Sequence, residues 1–244
     1  MSAVPERDDP AARASPQLPL ALRYPPDQRL ETWIAPPTGA AALVRATARG
    51  ERVEWLYLTG PAGVGKTHVL LGACAEAEAC GRRAAYLPLA VARGRLAQAL
   101  AALEGHDLIA LDGVEAIAGA REDEVALFDA HNRARAAGST VLYAARDIPD
   151  ALGLTLPDLR SRLAQCARIA LAALDDDGRR EVLRQRAQRR GLVLDDAALD
   201  WLLRRAQRDL ASLTGLLDQL DRASLAAQRR ITVPFLRQTL GGEL

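Results

Sequence analysis

The eight residues Gly60-Pro61-Ala62-Gly63-Val64-Gly65-Lys66-Thr67 restrict the fold of this chain more than any other stretch. They satisfy G-x-x-x-x-G-K-[ST], the pattern of a loop that wraps phosphates, which requires a buried strand before it and a helix opening from it. Both are present: Trp55-Leu56-Tyr57-Leu58 is an apolar strand, and residues 67–80 carry a helical pattern. Gly60, Gly63 and Gly65 permit backbone conformations closed to other residues, so amide N–H groups can converge on an anion at a helix N-terminus. The whole loop, Pro61, Ala62 and Val64 included, is therefore a candidate nucleotide contact. Lys66 is placed to reach the β- and γ-phosphates and the Thr67 hydroxyl to bind Mg²⁺. A glycine-rich turn that binds nothing is the alternative.

A phosphate loop of this kind works with an acidic residue that closes a buried strand, and Leu108-Ile109-Ala110-Leu111-Asp112 provides one. Asp112 is expected to hold Mg²⁺ through its water shell. Hydrolytic proteins of this class usually follow that aspartate with a second carboxylate, whereas here Gly113 comes next. Glu115 is the nearest later carboxylate, and it reaches back only if the strand end bends; otherwise it is a surface glutamate. The sequence therefore supports nucleotide binding better than turnover.

Around these motifs, short apolar runs alternate with helical patterns. A helix at Ala40–Arg49 is followed by runs at 55–58, 84–87, 108–111 and 141–144, with helices at 67–80 and near 123–137 between them. Strands alternating with helices imply a parallel sheet covered on both faces. After Ile169 the pattern becomes helical throughout, and Asp175-Asp176-Asp177 offers a cap. The expected division is a flexible tail at 1–16, a short peptide at 17–24, an α/β nucleotide-binding domain at 25–172 and a helical domain at 173–244. In the tail, Pro5, Pro10 and Pro16 stand among small and charged residues, too little apolar area to offset the entropy of ordering. A chain of 244 residues with 49% hydrophobic residues builds a core without staples, so Cys74, Cys80 and Cys166 need no disulfide role and a reducing cytoplasm fits. Cys74 and Cys80 fall on different faces of one helix, both expected to be buried. No apolar run is long enough to cross a bilayer, so the sequence predicts neither secretion nor a membrane span. The formal net charge of +1 argues against a surface built throughout to hold nucleic acid.

The order of parts, phosphate loop, acidic strand, later arginine and helical lid, resembles an AAA+ nucleoside triphosphatase. More narrowly, the chain is similar to the DnaA-related regulatory inactivator (Hda) family. The resemblance runs from Gln17 onward and is carried by Gln17-Leu18-Pro19-Leu20-Ala21-Leu22, the loop with His68 after it, Leu156-Pro157-Asp158-Leu159-Arg160-Ser161-Arg162-Leu163, and Leu217-Asp218-Gln219-Leu220-Asp221-Arg222-Ala223-Ser224. It implies an AAA+ α/β domain with a helical lid, bound ADP or ATP with Mg²⁺, and a role in restraining replication initiation. The peptide Gln17 to Leu22 is similar to those that dock on the DNA polymerase III sliding clamp, its β subunit. A glutamine at a groove edge with leucines in a pocket is an extended-peptide mode of recognition, and internal packing of Leu18 and Leu20 is the alternative. Arg162 takes the place of an arginine finger supplied in trans to a neighbour's triphosphate, here DnaA, leaving inactive ADP-bound DnaA. Arg160 competes for that role from a different helix face, and simple pairing with a carboxylate is the other option.

The resemblance also implies contact with DNA through the clamp, a place at the nucleoid or replisome, and little intrinsic ATPase activity; it leaves a homo-oligomer open. Three departures fall on the hydrolytic side. Gly113 replaces a carboxylate, Ala144-Ala145-Arg146-Asp147 lacks the polar residue expected at the end of the fourth strand, and Ala211 stands where the lid arginine belongs. Arg208 is the nearest substitute. An autonomous clamp-loader-like or DNA-remodelling ATPase and a non-catalytic clamp-tethered scaffold are the competing readings. Arg179, Arg180, Arg184, Arg186, Arg189 and Arg190 crowd one lid helix, as a solvated face or a DNA contact. His68 reads as a packed or exposed histidine. His106 and His131 lack partners at ligand spacing, so no metal beyond Mg²⁺ is expected.

Overall fold

The computed structural model describes residues 28–189, 191–192 and 194–205, together with Gly215, Leu220, Pro234, Leu236 and Arg237. The tail, the peptide Gln17 to Leu22, Arg190, Arg208 and Ala211 lie outside the described residues. The elements are α1 (Ala40–Arg49), β1 (Leu56–Thr59), α2 (Lys66–Ala79), β2 (Ala84–Pro88), α3 (Leu89–Ala92), α4 (Leu96–Ala101), β3 (Leu108–Asp112), α5 (Arg121–Ala136), β4 (Thr140–Ala145), α6 (Pro157–Ala164), β5 (Ala167–Ala170), α7 (Asp176–Arg189) and α8 (Asp196–Arg205). All strand pairings are parallel, in the order β2-β3-β4-β1-β5.

Alternation along the strands builds two cores. Leu56, Leu58, Leu108, Ala110, Leu142 and Ala144 face α1 and α2, whereas Tyr57, Ile109, Leu111, Val141, Tyr143 and Ala145 face the side covered by α3 to α6. Burial on both faces makes these strands read as continuous apolar runs. The register pairs Thr59 with Ala145 and with Ala170, and Asp112 with Ala144, so the carboxyl ends of four strands finish together. Those ends are where open α/β sheets bind ligands.

Three elements depart from the expected alternation. β5 extends the sheet beyond β1, although only Ile169 of its four residues is buried. The segment between β2 and β3 folds into α3 and α4, which bury Leu89, Ala92, Leu96 and Leu100. Cys74 is buried on α2 but Cys80, at the end of that helix, is exposed, against the expectation that both are inside. Asp175 caps α7 as the sequence predicts, its Oδ1 accepting from the Gly178 amide at 2.8 Å. α7 and α8 share a separate apolar cluster of Leu183, Ala187, Ala198, Leu199 and Leu202, joined by Leu220 and Leu236. Among the described residues no helix is long and apolar enough to cross a membrane.

Candidate nucleotide site

The loop from Gly60 to Thr67 leaves the carboxyl end of β1 and opens α2. Gly60, Gly63 and Gly65 have φ of 149°, 76° and 98°, a region that favours glycine. Space restricts Gly60 further, because a Cβ there would stand 2.3 Å from the Leu171 carbonyl oxygen. Lys66 is buried, and its Nζ donates to the carbonyls of Gly60 at 2.6 Å and Pro61 at 2.7 Å. Burial pulls the ammonium below its ordinary range, against the charges of Glu115 and Asp112.

The Thr67 hydroxyl donates to Asp112 Oδ2 at 2.6 Å, so the two expected Mg²⁺ residues meet between the first turn of α2 and the end of β3. A hydroxyl and a carboxylate are hard oxygen donors, which suit that ion. Tyr86 joins them, its hydroxyl donating to the same Oδ2 at 2.9 Å; burial and the Asp112 charge raise the phenol's pKa. The sequence reading missed Tyr86. Its signal lies in register, since Pro88 pairs with Asp112 and Tyr86 shares a face with its neighbour two residues on.

Gly113, at φ 80°, bends the end of β3 into a short 3-10 turn over Val114–Ala116. The bend brings Glu115 back: its Oε2 accepts from the Arg146 amide at 3.2 Å and its Oε1 lies 3.4 Å from Arg146 Nε. Glu115 is thus no plain surface glutamate. It is held by the arginine that follows β4, at the place where the sequence lacks a polar residue.

A cleft of about 710 Å³ runs from Gly63–His68 past Thr32 and Trp33 to the connection after β5, and Gln185, Arg186 and Arg189 of α7 close it. Those two arginines line a cavity rather than a purely solvated face. His68 is packed, with Nε2 3.0 Å from the Arg29 carbonyl oxygen and 3.2 Å from Thr32 Oγ1. Among the described residues no group of three or more His, Cys, Asp or Glu could hold another metal.

The two finger candidates differ in their surroundings. Leu159 and Leu163 anchor α6 in the core. Arg160 is exposed, with Nε 3.6 Å from Asp150 Oδ1. Arg162 is half-buried, makes no ion pair among the described residues and is not part of the cleft wall.

Comparison with known proteins places these features in a family context. Residues 176–240 match the family described as "Hda, lid domain". Domain III of the Thermotoga maritima replication initiation protein DnaA is similar with a TM-score of 0.75 and 18% identity, covering 89% of this chain and 97% of that one. AMPPCP-bound DnaA from Aquifex aeolicus gives a TM-score of 0.65 at 22% identity, covering 82% of this chain and 67% of that one. The Thermotoga maritima RuvB Holliday junction branch migration motor gives 0.64 at 20%, covering 90% and 72%. At these identities the solved structures fix the fold, a parallel sheet of the kind DnaA domain III has, and over residues 176–240 the chain matches an Hda lid domain.

Proposed function

We propose that this protein restrains replication initiation by stimulating hydrolysis of the ATP that DnaA holds, using Arg162 as an arginine finger in trans. The Hda lid domain on a DnaA-like AAA+ fold fits a DnaA regulator. The observation that carries the finer reading is Arg162 itself, unpaired with any carboxylate among the described residues and lying outside its own cleft. A planar, permanent cation offered to a neighbour's γ-phosphoryl group stabilises the charge that develops there, an effect worth roughly 10³ to 10⁵ in rate. The rest of the hydrolytic machinery belongs to the partner.

In this reading the protein's own cleft holds ADP or ATP. The loop Gly60 to Gly65 cradles the phosphates, Gly60 and Pro61 setting its shape and the amides of Ala62, Gly63, Val64 and Gly65 donating, while Lys66 gives up its two loop carbonyls for phosphate oxygens, and Thr67 and Asp112 hold Mg²⁺. Mg²⁺, when bound, neutralises phosphate charge. From the lid, Arg186 and Arg189 face the nucleotide, with Arg208 beyond the described residues. Glu115 supports slow turnover, because acting as a base requires it to release Arg146.

Gln17, Leu18, Pro19, Leu20, Ala21 and Leu22 dock on the sliding clamp, which puts the protein at the replisome, with DNA contacted through the clamp. Tethering raises the effective concentration of Arg162 at DnaA. Removing residues 1–22 should therefore abolish clamp-dependent stimulation of DnaA; stimulation left unchanged contradicts the tether. Brisk turnover by the isolated protein, lost in Lys66→Ala, would instead favour an autonomous ATPase.

A further inference from the structure

Glu124, on the first turn of α5, is fully buried yet makes no ion pair among the described residues. Its carboxylate accepts four hydrogen bonds from two separate loops. Oε1 accepts from the Gly119 amide at 2.8 Å and the Thr155 amide at 3.1 Å. Oε2 accepts from the Thr155 hydroxyl at 2.9 Å and the Leu156 amide at 2.7 Å. Burial raises the carboxyl's pKa, but the bonds from Thr155, Gly119 and Leu156 outweigh it and hold the group below its ordinary range.

The two loops are the ones that matter for the candidate chemistry. Gly119 follows the turn that carries Glu115, and Leu156 is the N-cap of α6, the helix of Arg162. α6 has no side-chain cap of its own and begins with Pro157, which has no N–H. From a neighbouring helix Glu124 instead holds the two residues that lead into α6, Thr155 and Leu156, and sets a negative charge near the helix N-terminus. Arg162 lies within two turns of the clamped amides, so a shift at Leu156 passes along a rigid helix to the guanidinium.

We propose that Glu124 is the positioning residue for the arginine finger, tying α6 to the loop after the acidic strand and so fixing where Arg162 stands. The proposal rests on the finger reading above. An apolar side chain would fill the same space without the cost of desolvating a charge, and four fixed acceptor directions give what apolar packing lacks, a defined register.

Glu124→Gln keeps the side chain's size but turns one acceptor oxygen into a donor that faces donors. Stimulation of DnaA ATP hydrolysis should fall on the order of 10²-fold, as for a displaced catalytic group. The Thr155 and Leu156 amides should exchange hydrogen faster, while nucleotide and clamp binding stay unchanged, because Glu124 lies outside the cleft wall. In an Arg162→Ala background the same change should cost nothing further, as for residues that act as a unit. Thr155→Val, which removes one of the four bonds, should give a smaller loss in the same direction and serves if Glu124→Gln folds poorly. Stimulation that persists in Glu124→Gln, or a further loss on top of Arg162→Ala, overturns the proposal. Stimulation that survives Arg162→Ala overturns the finger reading with it, a different outcome from failure at Glu124 alone, where Arg162→Ala is inactive and Glu124→Gln is not.

Discussion

His131 packs edge-on against Trp55 at 4.4 Å, 2% exposed, with Nδ1 3.0 Å from the Tyr143 hydroxyl. Burial, helped by the charges of Arg162 and Arg135, lowers its pKa to about 4. The unfolded chain takes up a proton near pH 6.5 and the folded chain only near 4, so stability falls as pH drops through that window. The loss should reach about 2 kcal/mol by pH 5. Denaturant unfolding at pH 7.5 and pH 5 tests it: His131→Phe should show a smaller drop than the parent, and an equal drop contradicts the assignment. The phosphate loop was legible at this scale because its residues are consecutive and their chemistry is local. Tyr86 was not, because it meets Asp112 only through strand register, and both readings of Glu115 stay open in the sequence because its position depends on the backbone bend at Gly113.

α1 follows from its amphipathic pattern, whereas α2 and the three central strands, buried on both sides, follow from continuous apolar runs and from the phosphate loop that joins β1 to α2. β5 does not, since an edge strand with one buried residue in four carries no alternation to read. α3 and α4 are too short for a helical period to emerge. The arginines of α7 illustrate the opposite difficulty, because composition marks the helix as charged but cannot say which turn faces the cleft. The structure places Arg186 and Arg189 there. Arg186→Ala should weaken nucleotide binding about tenfold, as loss of a charged hydrogen bond does, with the lid still folded. Calorimetric titration with ADP and Mg²⁺ checks it, and unchanged affinity would remove α7 from the site.

In the whole molecule, the phosphate loop, Asp112, the α7 arginines and α6 occupy one framework set by the parallel sheet, while the peptide Gln17 to Leu22 precedes the described residues. The sequence order of motifs was enough to read an AAA+ body with a helical lid, because each motif requires its flanking strand or helix. It was not enough to separate Arg162 from Arg160, which differ by their partners in space. The most direct measurement is release of phosphate from ATP prebound to DnaA, with the clamp loaded on DNA, comparing this protein with Arg162→Ala. If Arg162 acts as the finger, stimulation should depend on the clamp and fall by roughly 10³-fold or more in the variant. Equal stimulation by both proteins, or none by either while both bind the clamp, would contradict it.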